Sequence, residues 1–188
     1  ILKSKKKEFH AKILRKVRKV HRTSGALLFS FFFIVAITGL LLGWKKNSNG
    51  KILPKSHIGT SVYLRDWLSL DSLQTIAFSA IQDSLGKDID LNLQRIDARP
   101  KKGMVKFVFD HHYWGIQLDG ATGEVLAITR RNSDLIENIH DGSILDIIFG
   151  TSGEILKLIY TTIMGISLLI FTVTGFWLWY GPKVMRKK

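Results

Sequence analysis

Two stretches of this chain are almost purely apolar, and the segments around them alternate in ways that distinguish helix from strand. The first runs from Ser24 to Trp44 with only serine and threonine as relief, and the second runs from Leu158 to Tyr180. The second has 23 residues and no ionisable group except its tyrosines. At about 1.5 Å per residue it reaches roughly 34 Å, enough for a hydrocarbon core of about 30 Å. A soluble core helix keeps a polar stripe, and neither stretch has one. Both therefore read as transmembrane helices. Lys157 at the entrance of the second is placed to snorkel toward headgroups, and Trp177, Trp179 and Tyr180 cluster at its other end as interfacial aromatics do. The first is too long for a signal-peptide core and runs into Lys45 and Lys46 without a small-residue cleavage pattern, so it reads as a retained anchor. Gly39 and Gly43 in it form a small-xxx-small pair that lets a second helix approach.

The remaining segments are patterned differently. From Lys3 to His21, apolar Phe9, Ile13, Leu14, Val17 and Val20 recur at spacings of three and four among basic residues, which predicts an amphipathic helix on the inner membrane surface. Asn47 to Thr60, with Ser, Gly and Pro54, reads as a linker. Leu70 to Leu85 has helix periodicity, with Asp71 near its start and Gly86 past its end. Leu93–Ala98, Met104–Phe109, Tyr113–Leu118 and Glu124–Thr129 are short β-branched and aromatic runs separated by turn residues. The expected fold class is membrane α+β, two transmembrane helices flanking an extracytoplasmic module of one helix packed on a small antiparallel sheet. The expected division is a basic segment 1–22, spans 23–45 and 154–180, a linker 46–65, the module 66–131, an interfacial segment 132–153 and a basic tail 181–188.

Charge adds orientation. The net charge is +13, but ten of the 28 lysines and arginines lie before Ser24 against Glu8 alone, and four more follow Pro182 with no acid. The segment between the apolar stretches is nearly neutral. Basic tails outside two spans predict both termini in the cytoplasm, with residues 46–153 outside, in the periplasm if the membrane is a bacterial inner membrane. The partner of the tails is then anionic lipid of the bilayer rather than nucleic acid. Cysteine is absent, which excludes disulfides, thiolate metal sites and a cysteine nucleophile.

Leu118, Asp119, Gly120, Ala121, Thr122, Gly123, Glu124, Val125 and Leu126, following a helix, a strand and a hairpin, resemble the PepSY domain, whose repeat ends in an aspartate, a turn, a Thr-Gly pair and an apolar strand. Val20 to Gly25 at the mouth of the first span, His140 to Ser143, Gly153, and Thr174 to Trp179 in the second span resemble the PepSY-associated transmembrane helix family. Larger members of that family have four or more spans and include membrane reductases for ferric siderophores, with haem held between helices by histidines. The resemblance implies a minimal member with two spans and one PepSY module. It is compatible with three roles: an accessory subunit or partner-binding module of a membrane complex in iron or siderophore uptake, a haem-binding electron-transfer protein working as an oligomer, or a regulator of an extracytoplasmic peptidase.

The candidate haem ligands are His21 and His140. The plainer reading makes His21 an interfacial residue beside Arg22, and His140 a capping or hydrogen-bonding residue beside Asp141. On the expected topology the two lie at opposite membrane faces, so one copy cannot clamp one haem with this pair. Two copies, or a partner with its own histidines, would place one haem at each level. His10, His57, His111 and His112 carry no such expectation: His10 is roughly 16 Å from His21 along a helix, His57 stands alone in the linker, and adjacent residues in a strand point to opposite faces. Neither span holds an acid or histidine in its interior, so no intramembrane proton relay is expected. No phosphate loop, paired metal-binding helix motif or nucleophile elbow is present, which argues against nucleotide and hydrolase chemistry. Asp119, Gly120 and Gly123 read as turn geometry.

Overall fold

The structure, a computed structural model, describes residues 2–186, and the side chains of residues 8–184. It forms two compact units, one helical (1–39 and 139–188) and one built on a sheet (40–138).

Helix α1 (Leu2–Gly43) has 42 residues, about 63 Å at about 1.5 Å per residue. It corrects one expectation. The basic segment does not form a separate surface helix but continues unbroken into the span, since no proline or polar turn interrupts residues 20–25. Of the apolar positions in that segment Leu14 is buried, its Cδ1 2.9 Å from where a Cβ on Gly181 would stand, whereas Phe9 and Val20 are exposed. Helix α5 (Ile155–Arg186) runs antiparallel to α1. His21 and Gly25 meet Phe171, and Phe31 faces Tyr160 at 6.4 Å between ring centroids. The shielded positions of α1 are Leu14, Val17, His21, Ser24, Leu28, Phe32, Val35, Thr38 and Leu42, and those of α5 are Tyr160, Met164, Ser167, Phe171, Thr174, Leu178 and Gly181. Spacings of three and four give a narrow seam. Most of the other apolar side chains, such as Leu27, Phe33, Leu169 and Val173, are exposed, as a lipid-facing surface requires.

Two short helices lead into α5. Helix α3 (Asn132–Asp141) and helix α4 (Ser143–Phe149) are separated by Gly142, which has φ 84° and whose missing side chain leaves room for the Tyr160 ring. Asp141 Oδ1 accepts from the Ser143 amide and hydroxyl. Asp146 reaches from α4 to the start of α5, accepting from the amides of Leu156 (3.1 Å) and Lys157 (2.8 Å) and from the Thr151 hydroxyl. These bonds satisfy donors that a helix start leaves open. They also hold the Asp146 carboxyl below its ordinary pKa, the Thr151 bond contributing most. Lys157 reaches Asp141 at 3.3 Å and Glu154 at 3.2 Å.

In the sheet unit, β1 (Leu93–Arg99), β2 (Met104–Phe109), β3 (Trp114–Asp119) and β4 (Val125–Arg130) form an antiparallel meander in chain order. Helix α2 (Leu70–Leu85) covers one face. Its Leu73, Ala77 and Ile81 are buried against Val105, Phe107, Phe109, Ile116 and Leu118. Ser69 caps α2 by accepting from the Ser72 amide at 3.1 Å, and Gly86 ends it at φ 113°, a region open to glycine.

Every residue of β2 is buried, so its second face is covered too. The cover is the stretch that reads as a linker. Residues 55–60 lie across the sheet, tied by Lys106 Nζ to Ser56 Oγ (2.9 Å), by Gln117 to the Lys55 carbonyl and His57 amide (2.9 and 3.1 Å), and by Asp119 Oδ2 to the amide of Thr60 (2.8 Å) and its hydroxyl. Gly59 donates to the Lys102 carbonyl at 2.8 Å and sits so close to the Gly103 backbone that no side chain fits. The strap supplies the partners that three buried polar side chains of the sheet require.

Candidate cofactor site at two histidine contacts

His21 projects from α1 toward α5. Its Nδ1 lies 2.8 Å from Thr174 Oγ1, its ring sits 4.2 Å from the Phe171 ring between centroids, and its Cε1 lies 3.5 Å from where a Cβ on Gly175 would stand. His140 projects from the last turn of α3 toward α1. Its Nδ1 lies 2.9 Å from Thr38 Oγ1, and its Cε1 is 3.3 Å from where a Cβ on Gly39 would stand. The two environments are built alike. In each, a histidine of one helix meets a Thr-Gly pair of another, the threonine taking Nδ1 and the glycine leaving room for the ring edge. Gly39 therefore admits an imidazole, whereas nothing approaches Gly43.

The hydrogen bonds orient each ring. Thr174 Oγ1 lies 2.6 Å from the Ile170 carbonyl, and Thr38 Oγ1 lies 2.7 Å from the Ile34 carbonyl. A hydroxyl has one proton, and in each case it is directed at that carbonyl, so the threonine accepts from Nδ1–H. In the neutral tautomer with that N–H, the lone pair is on Nε2. Neither Nε2 has a hydrogen-bond partner among the described residues, and neither is sealed from outside. An oriented imidazole, held through one nitrogen with the other free, is how proteins present a histidine to a metal.

Position 21 and the Thr38 that holds His140 are 17 residues apart on α1, roughly 25 Å at about 1.5 Å per residue. One site therefore stands near each end of the apolar stretch, and the chain does not bring the two histidines together. The other histidines are engaged differently. His111 and His112 lie in the β2–β3 turn rather than in a strand, with His111 at φ 62° and His112 Nε2 at 2.9 Å from the Asp90 carbonyl. His57 lies in the strap, bonded through its amide to Gln117. No cluster of three or more metal-binding side chains occurs among the described residues.

A second polar feature belongs to the sheet unit. The Lys106 ammonium is buried beneath the strap with Ser56 as its hydrogen-bond partner, and its pKa falls to about 8, first through burial and then through nearby Arg99, Arg131 and Lys102. Arg131 is paired with Asp134 at 2.8 Å. Burial alone would raise the Asp119 carboxyl, but bonds from the Thr60 hydroxyl and from the amides of Ala121, Thr60 and Thr122 outweigh it and hold the pKa below the ordinary value. Asp119 thus makes its turn and anchors the strap, a second role that its sequence neighbourhood does not reveal.

The family described as PepSY-associated TM region matches residues 18–187, and the chain belongs to that family. No curated protein and no solved structure matches it. Two helices long and apolar enough to span a bilayer, together with this membership, make it a membrane protein.

Proposed function

We infer that the chain is a haem-binding electron-transfer protein of the membrane, in which His21 and His140 are the residues that would hold haem. The observation that carries this reading is the repeated contact in which Nδ1 is held by a threonine and Nε2 is left free. The donor set suits haem: neutral imidazole is a common haem ligand, and a hydrogen-bonded Nδ1 fixes the tautomer that ligation needs. Bound haem would supply one-electron transfer at its iron. The chain's own residues contribute the ligand nitrogens, the threonines that orient them and the apolar seam that limits water around them.

With both termini in the cytoplasm and residues 46–153 in the periplasm, His21 stands at the inner level and His140 at the outer. With haem bound at both levels, electrons would pass outward, toward an acceptor such as a ferric chelate in iron uptake. The test is a visible spectrum of the detergent-purified protein, oxidised and then dithionite-reduced. A Soret band that shifts on reduction and is absent from the double variant His21→Ala, His140→Ala supports haem ligation. A folded wild-type sample with no Soret band, from haem-replete cells, overturns it.

A second reading, an accessory subunit or partner-binding module of a larger membrane complex, is favoured by the single free imidazole at each level, which another subunit would complete. Recovery of a stoichiometric companion from native membranes supports it, and recovery of the chain alone removes its main support.

A further inference from the structure

We propose that the cavity beneath the strap is a binding site for one small monovalent anion of halide size, such as chloride, held by Lys106, Thr129 and Arg131. The site belongs to the sheet unit alone and is independent of the haem reading.

The register of the sheet brings the parts together. Lys106 lies opposite Asp97, Val108 opposite Gly115, and Gly115 opposite Thr129. Val105, Phe107, Ile116 and Ile128 point to the α2 side, so Lys106, Gly115 and Thr129 point to the strap side. Arg131, just beyond β4, lays its stem over Gly115: a Cβ there would stand 3.2 Å from the Arg131 Cδ. Pro54 lines the cavity from the strap side. Its volume, about 10 Å³, admits one guest near the size of water and no metabolite.

Two of its walls are charges withdrawn from water, Lys106 at 4% exposure and Arg131 at 9%. The Lys106 ammonium has three protons, and its hydrogen-bond partner among the described residues is Ser56 Oγ, which Arg99 Nη1 also reaches at 3.2 Å. The acids on this face are engaged elsewhere. Asp97 pairs with Arg95 at 3.5 Å, Asp134 pairs with Arg131 at 2.8 Å and with Arg95 at 3.3 Å, and Asp119 binds Thr60 and its own turn. Against these three acids stand Arg95, Arg99, Lys102, Lys106 and Arg131, and strap residues 55–60 add Lys55 and His57 but no acid. The face is left with an excess of positive charge.

The unused groups on the cavity wall are donors. Arg131 bonds Asp134 through Nε and Nη2 and keeps Nη1 unpaired, and the Thr129 hydroxyl has no hydrogen bond among the described residues. The Gln117 amide is occupied at both ends by the strap backbone. A water molecule would have to place two protons on acceptors, and ammonium and guanidinium groups have none, whereas an anion needs donors only. An anion would also offset the burial that lowers the Lys106 pKa to about 8.

The experiment uses the full chain in detergent at pH 7, where Lys106 is mainly protonated. The protein is exchanged into gluconate, then titrated with chloride or bromide at constant ionic strength, following thermal unfolding and the chloride NMR line width. The unfolding midpoint should rise by roughly 3–5 °C per tenfold halide above the dissociation constant. The protein should also broaden the chloride line until bromide competes. Lys106→Met should remove both responses, so its midpoint relative to the wild type falls as halide rises. Thr129→Val should weaken halide binding several-fold, and Lys101→Met, at an exposed turn lysine, should change neither response. Equal midpoints in chloride and gluconate, without broadening, would show that the cavity takes water only and overturn the proposal. Responses that survive in Lys106→Met would put the halide elsewhere and overturn it equally. If Lys106→Met does not fold, the wild type and Thr129→Val still decide.

Discussion

Thr38 and Thr174 are the residues whose importance the sequence hides most completely. A threonine within an apolar span reads as a tolerated small residue, and its histidine partner is 102 positions away in one case and 153 in the other. The histidines themselves are legible, His21 and His140 through the motifs that surround them. One sign of their partners is also present: each span contains one Thr-Gly pair, Thr38-Gly39 and Thr174-Gly175, and a paired motif in two packed helices suggests a paired use. On the haem reading, the threonines are positioning residues. Replacing Thr174 by Val keeps the shape and removes the Nδ1 acceptor, freeing the ring to change tautomer or rotate. Loss of such a partner typically costs about 10- to 100-fold in affinity for a bound metal. Thr174→Val and Thr38→Val should each weaken haem retention to that extent and shift the reduction potential of one haem, while Thr→Ser at the same position restores both. A potential that does not move in either valine variant, with the haem still bound, would show that the hydroxyls do not hold the ligands.

At the scale of elements, the β-meander and its helix are legible because each carries a clear period and clear punctuation. Helix α2 occupies the predicted residues, 70–85, and the strands lie within about one residue of their predicted bounds. The strap is not legible, because a segment with Ser, Gly and Pro has no periodicity to announce a packed role, and its partners lie on strands some 50 to 60 positions later. The sheet does contain a clue: Lys106, Gln117 and Asp119 alternate with core residues on a face that polar side chains normally leave to water, yet all three are buried. Lys106 makes the consequence measurable. Its folded pKa of about 8 lies below the ordinary 10.5. Between those two values the unfolded chain keeps a proton that the folded chain has released, so stability rises with pH across that window and the cost of burying the ammonium is fully present below it. At about 1.4 kcal/mol per unit the effect is at most about 3 kcal/mol, and less where solvent reaches the group. Lys106→Met should stabilise the sheet unit at pH 7 by about 1–2 kcal/mol. It should also abolish most of the gain between pH 8 and 10.5, followed as thermal unfolding of the full chain in detergent. A variant that is less stable at pH 7, or one that keeps the wild-type pH slope, would show that the strap already compensates the charge.

For the whole molecule, the distribution of charge rather than its total sets how the chain meets a bilayer. The +13 is concentrated before the first apolar stretch and after the second, while residues 45–154 hold 13 basic and 14 acidic side chains and are nearly neutral. On the positive-inside rule, translocation of the near-neutral segment would leave the basic ends on the side where anionic lipid and the membrane potential retain them. The continuity of α1 adds a physical reason. Its 42 residues are about twice the length the hydrocarbon requires, and the excess lies in the basic half, which cannot be drawn into the core without desolvating several charges. The absence of cysteine makes the orientation directly testable, since a single introduced thiol reports alone. Lys101 is exposed in the turn between β1 and β2, and Lys16 is exposed on α1. In intact cells a membrane-impermeant maleimide should label Lys101→Cys, and should label Lys16→Cys only after the membrane is opened. The reverse pattern would put His140 at the inner level and His21 at the outer. On the haem reading the ligands would be unchanged, and outward transfer would enter at the His140 level and leave at the His21 level, so labelling decides which histidine would serve which face.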